Sequence, residues 1–159
     1  MPEARKPRLG GFSLLELVIV VVIIAIIAAI AIPRLSRGTA GAADAALAGD
    51  LSVLRTGIDL FVVEHNGKTP AVADITAALT QYSNAAGDDF VAAKDATHIY
   101  GPYVREIPPL PVGAAKGCTG IAAAAGAGVG WIYDESDGSI KSNTTAAEMD
   151  VTGKLYSEY

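Results

Sequence analysis

The chain has 159 residues, 51% of them hydrophobic and 18% charged, a length that allows one ordinary domain plus a modest appendage and excludes two large catalytic domains. Twelve Lys and Arg stand against 17 Asp and Glu, and without residues 1–11, which hold Arg5, Lys6, Arg8 and Glu3, the balance is 9 against 16. With no basic stripe after residue 38, so acidic a surface repels phosphate and argues against nucleic acid as a partner.

The hydrophobic residues are concentrated near the N-terminus. Phe12 to Ile32 is a run of twenty-one residues, fifteen of them Phe, Leu, Ile or Val, in which only Ser13 and Glu16 are strongly polar. As a helix it spans roughly 30 Å, enough to cross a bilayer. Fifteen apolar residues at about −0.3 to −0.6 kcal/mol each outweigh a penalty of at most about +3 kcal/mol for one carboxylate. Glu16 is thus tolerated without being explained, and an acid inside a span implies a functional role with an identifiable partner. No Lys, Arg or His lies within the run to serve as one.

Two export readings fit a basic segment followed by an apolar one. In the first, Ala29-Ile30-Ala31 is a signal-peptidase site that releases a soluble binding domain beginning at Ile32. Against it, the run is much longer than the 7–15 residues typical of a signal peptide's apolar region, and it contains an acid. The second starts from Arg8-Leu9-Gly10-Gly11-Phe12-Ser13-Leu14-Leu15-Glu16, followed by β-branched and Ala residues down to Pro33. This stretch resembles the N-terminus of type IV prepilins and type II secretion pseudopilins.

The resemblance implies cleavage of a basic leader, residues 1–11, by prepilin peptidase between Gly11 and Phe12, and N-methylation of Phe12. It makes Glu16 the fifth and Pro33 the twenty-second residue of the mature chain, both positions of assembly importance in that family. The cut would leave a cationic amine on Phe12 with Glu16 as its nearest acid. At about 4 Å and an effective dielectric near 20, such a pair is worth roughly 4 kcal/mol before desolvation. Formed between neighbouring helices, it would set axial register as a single polar contact does in a coiled coil.

Beyond Pro33, the apolar positions Leu47, Leu51, Leu54, Ile58 and Phe61 recur at helical steps beside polar Asp44, Ser52, Arg55 and Asp59. The spacing predicts one helix continuing to about His65, stopped by Asn66-Gly67 and then Pro70. Residues 12–65 would make a rod of roughly 80 Å. Pro33 predicts a kink or melted turn near 29–33. Gly38, Gly41, Gly49 and Gly57 each cost about 1 kcal/mol against Ala and predict a compliant rod.

Ile75, Leu79 and Tyr82 predict a short helix within 71–83 with Asp74 as N-cap, and 84–97 reads as loop. The segment Tyr100-Gly101-Pro102-Tyr103-Val104-Arg105-Glu106-Ile107-Pro108-Pro109 resembles the G-P-Y and I-P segment of many pilin-like subunits, and its prolines suit an edge strand or extended ribbon. Residues 113–130 hold thirteen Ala or Gly in eighteen positions and read as a flexible loop. Gly130 to Lys141 reads as a hairpin with Asp137-Gly138 in its turn. The tail from 144 ends polar.

Chemical motifs are few. Gly126-Ala127-Gly128-Val129-Gly130 lacks the third glycine of a dinucleotide loop. Asp134, Glu135 and Asp137 are hard-oxygen candidates for calcium, as in the C-terminal loop of some pseudopilins, but acidic turns are commonplace and no metal site is assigned. Asn143-Thr144-Thr145 matches a glycosylation triplet. His65 and His98 have no paired Ser, Cys or ligand spacing and read as a helix-end and a loop residue. Cys118, the single cysteine, is either buried or pairs between chains.

The fold expected is α+β and pilin-like: a long N-terminal helix whose first half, 12–35, is membrane-embedded, and a small globular head over 36–159 with a short helix and an antiparallel hairpin. The resemblance implies a non-enzymatic, cofactor-free structural subunit of a type IV pilus-like filament. Its partners would be copies of itself, prepilin peptidase, an inner-membrane assembly platform, and membrane lipid before assembly. A secretion pseudopilin is the alternative within the family. Residues 1–11 are placed in the cytoplasm, although Arg34 and Arg37 reduce the basic excess to three against two. The head would lie in the periplasm or outside the cell.

Overall fold

Val and Ile favour strands in water, yet residues 12–32 have reason to be helical. A helix satisfies all its backbone amides within one apolar segment. A computed structural model, which describes residues 11–159 without the side chains of 33–37, has all but Phe12 and Ser13 of them in α1 (Leu14–Glu64). The leader cations Arg5, Lys6 and Arg8 lie outside the described residues. The turn expected to melt near 29–33 is helical, and α1 continues through Pro33 without interruption. Proline removes one donor, and a helix of 51 residues keeps the neighbouring bonds.

The helix stops where its sequence says it should. Asn66 has φ 56° and Gly67 φ 83°, and the Gly67 amide donates back to Val62 O at 2.8 Å, closing the end as a left-handed cap.

The chain divides into two compact units, one ending at Gly38 and one spanning Thr39–Tyr159. The second has a complete core of its own. Leu47, Leu51, Leu54, Ile58 and Phe61 are each at most 2% exposed, as their spacing predicted. All but Phe61 join Ile75, Leu79, Leu110, Trp131, Tyr133 and Ile140 in one cluster.

The α2 helix (Ile75–Thr80) is shorter than predicted, and Asp74 stands at its N-cap without a side-chain cap bond. It ends because Gln81 turns extended, which frees Tyr82–Ser83 to pair as β1 with β2 (Phe90–Val91). Tyr82 therefore belongs to a strand, and the predicted 84–97 loop contains one. The 100–109 segment has a single bridge, Tyr100 to Ser83. Instead of forming a strand it caps α2: the amides of Tyr103 and Val104 both donate to Leu79 O, at 2.9 and 3.0 Å.

The hairpin is present, with β4 (Val129–Asp134) antiparallel to β5 (Ser139–Ser142). Gly138 (φ 75°) closes a four-residue loop between Asp134 and Ser139. The Ala- and Gly-rich stretch is not simply flexible, because β3 (Gly120–Ala122) pairs parallel with β4. Glycine here permits close approach. A Cβ on Gly130 would stand 2.2 Å from Cys118 O, and one on Gly120 2.6 Å from Gly128 O.

The tail is not merely polar. Tyr156, in the 3-10 turn Tyr156–Glu158, is buried, and its hydroxyl donates to Asp44 Oδ1 at 2.7 Å. The Val151 amide donates to Asp44 Oδ2 at 3.0 Å. Asp44, which reads in the sequence as the polar flank of the stripe, is only 7% exposed.

Candidate functional site

Among the described residues, one helical segment is long and apolar enough to cross a membrane, the nineteen residues Leu14–Ile32. Its apolar side chains point in every direction. Fifteen large ones from Phe12 to Ile32 are exposed, from 47% at Val18 and Val20 to 81% at Phe12 and Leu14. A helix apolar all round needs lipid or other helices about it, because one turned to water would leave a large bare surface.

Glu16 is the acid in the first turn of α1, where the free amides of the helix start favour a negative charge. The Leu17 amide donates to Ser13 O at 3.1 Å. Ser13 and Glu16 thus occupy the two positions of a capping box. The Ser-x-x-Glu spacing was readable in the sequence and went unused there. It places Glu16 where the helix start favours an acid, beside any role toward a neighbour.

Gly11 precedes the helix, and a Cβ added to it meets nothing within 4 Å. The fold of the chain does not itself require glycine there. Pro33 lies inside α1.

The other sequence candidates are occupied locally. Asp134 Oδ1 accepts the amide and hydroxyl of Ser136 at 2.9 and 2.6 Å, which holds its carboxyl below the usual range. Asp137 accepts the Ser139 amide, and Glu135 accepts Val72 N at 2.9 Å. Asp134 and Asp137 therefore brace the hairpin loop itself, and Glu135 ties it to the segment before α2. No group of three or more His, Cys, Asp or Glu suited to a metal ion occurs among the described residues. Asn143 Nδ2 donates to Val129 O at 2.7 Å, so the amide of the glycosylation triplet is engaged. Cys118 is half-buried and free.

His65 does have a serine partner, contrary to the reading from sequence. Ser83 Oγ lies 3.1 Å from His65 Nε2, while Nδ1 contacts Phe61 O at 2.7 Å. The pair is brought together by β1 from 18 residues away and is sealed from solvent, with Ser83 0% and His65 3% exposed. The ring stacks on Phe61 at 3.9 Å, and Gly87 (φ 64°) closes over both. A Cβ there would be 2.8 Å from each ring.

Compared with known proteins, residues 7–32 match the family model described as the prokaryotic N-terminal methylation motif. The match covers the segment from which the resemblance was read, including Gly11, Phe12 and Glu16. The chain carries a prepilin-type cleavage and methylation segment, and that motif implies processing by prepilin peptidase. No curated protein and no solved structure matches the chain.

Proposed function

We propose that this chain is a non-enzymatic structural subunit of a type IV pilus-like filament. Prepilin peptidase cuts it between Gly11 and Phe12, Phe12 is methylated, and the mature chain waits in the inner membrane as a single span. It then assembles with identical copies through residues 12–35, leaving the membrane for a filament that is extracellular or periplasmic.

The observation that carries this reading is the exposure of apolar side chains on every face of Leu14–Ile32, within a segment that matches the methylation motif. Exchange is the energy logic: apolar side chains leave lipid for neighbouring helices at little net hydrophobic cost, so packing and the pair between the Phe12 amine and Glu16 must supply specificity. The test is the mature N-terminus together with the assembled state. Intact mass is expected to correspond to a methylated chain starting at Phe12, and overproduction with the assembly machinery is expected to give long fibres. A mature chain starting at Ile32 would instead identify a secreted domain and overturn the filament reading. Fibres confined to the periplasm under normal expression would point to a secretion pseudopilin.

A further inference from the structure

Between β2 and Tyr100 the chain folds around one imidazole. His98 is 8% exposed, and its two ring nitrogens face two different carboxylates. Nδ1 lies 2.9 and 2.8 Å from the two oxygens of Asp95. On the other side, Nε2 lies 3.2 Å from Asp89 Oδ2 as an ion-pair contact without hydrogen-bond geometry.

A neutral imidazole has one N–H. Whichever nitrogen carries it, the other turns a lone pair toward an anion. Only the doubly protonated ring offers a donor to both acids.

The two acids are held differently. Asp95 is fixed: its Oδ1 also accepts the amides of Thr97 and His98 at 2.7 and 2.8 Å and the Thr97 hydroxyl at 2.9 Å. Asp89 adjoins β2, its side chain is 68% exposed, and Asn84 N donates to its backbone oxygen at 3.2 Å. The proton on Nε2 therefore decides whether the Asp89 side chain is drawn toward the ring.

We propose that Asp89, His98 and Asp95 form a proton-operated clasp. With His98 doubly protonated, the clasp ties the residue before β2 to the 95–98 turn and holds the 90–99 segment closed. With His98 neutral, the loop is released. The charged groups acting on the ring are Asp95 and Asp89. Nearby Asp88 is occupied elsewhere, accepting Asn84 Nδ2 at 2.9 Å, and the Thr97 hydroxyl, 3.1 Å from Nδ1, is uncharged.

The hydrogen bond to Asp95 raises the imidazole above its ordinary value; burial opposes it, and Asp89 adds to the rise. The clasp is therefore fully formed below about pH 6.5, the ordinary histidine value, and is lost as pH rises through the higher folded value.

The experiment is nitrogen-15 NMR of the two histidine rings in the full chain in detergent micelles between pH 5 and 9, with hydrogen exchange of the 90–99 amides over the same range. His65, the other histidine of the chain, is distinguished by His65→Gln. The expected result is a His98 midpoint above about 6.5, with exchange across the loop, corrected for intrinsic rate, faster by about fivefold or more above the midpoint. Asp89→Asn, at an exposed side chain, is expected to lower the midpoint and abolish the pH dependence of loop protection. A wild-type midpoint at or below the ordinary value, or equal loop protection on both sides of it, would overturn the proposal.

Discussion

Glu16 lies within the apolar segment, whereas the core of the head is built from residues between Leu47 and Tyr156. Replacing Glu16 by Val removes an insertion penalty of up to about 3 kcal/mol and a favourable interaction at the helix start of roughly 0.3–1 kcal/mol. Insertion and folding should therefore survive. Assembly should not, because the cationic amine of Phe12 would be buried among helices without its partner, at a cost of several kcal/mol by the usual penalty of an unpaired charge. Glu16→Val is expected to be cleaved and membrane-bound yet to form no filaments alone. The ratio of filament to mature membrane protein checks this, and undiminished filaments would show that the carboxylate has no assembly role.

Gly11 tests the other end of the proposed processing. The chain has open space around it, so Gly11→Val should leave the fold intact. A peptidase that must approach the backbone closely would be blocked. Uncut precursor on an intact-mass measurement is the expected outcome, and normal processing would reject the site. Asp44 is a third residue with a separable role. Asp44→Ala would leave the Tyr156 hydroxyl and the Val151 amide without their acceptor, and is expected to destabilise the head by about 1–3 kcal/mol in urea unfolding. Burial, then the bond to Asp44, raises the Tyr156 phenol above its ordinary value, so no loss of this contact is expected near neutral pH.

At the scale of elements, β3 and β4 depend on backbones that pass too close for a side chain. Gly130→Ala would drive a methyl against Cys118 O, where Leu110 N also donates at 2.9 Å. The pairing would have to open, at a cost on the order of 2–4 kcal/mol. Thermal unfolding by circular dichroism checks this, with Gly126→Ala as the mild comparison because its nearest neighbour would be Val129 at 3.6 Å.

The same strand shows why some elements were legible and others not. The Leu47 to Phe61 stripe could be read because one buried helix face imposes its period on consecutive residues, and Asn66-Gly67 could be read because the cap needs positive φ. The hairpin followed from its turn chemistry. β3 could not, since glycine chosen for close approach and glycine chosen for flexibility have the same composition. Asp44 and the His65 and Ser83 pair were hidden for another reason: their partners are supplied by segments distant in sequence. At the candidate site, the apolar run, Gly11 and Phe12 were plain from the sequence. The Ser13 and Glu16 spacing was equally readable, but it acquires meaning only with the helix start placed at Leu14.

For the whole molecule, the two units differ in what must cover them. The unit ending at Gly38 presents bare apolar side chains, while every member of the head's core cluster comes from Thr39–Tyr159. A chain beginning at Thr39 is therefore expected to fold, to remain soluble without detergent and to unfold cooperatively. Dispersed amide NMR signals and a monomeric sedimentation coefficient would bear this out. Aggregation or a collapsed spectrum would show that the apolar segment is needed for folding as well as for anchoring.

The contact between Asp44 and Tyr156 joins residues 112 apart, one near the start of the head and one close to its end. While the chain is being made, that acid must wait until residues 151–156 emerge before its two donors arrive. A chain broken off before residue 151 would have neither, and the helix face around Leu47 would stay hydrated around an unsatisfied carboxylate. Such unfinished chains would then remain open to proteolysis. Placed where the 151–156 segment meets α1, the contact makes the arrival of that segment a condition for closing the head.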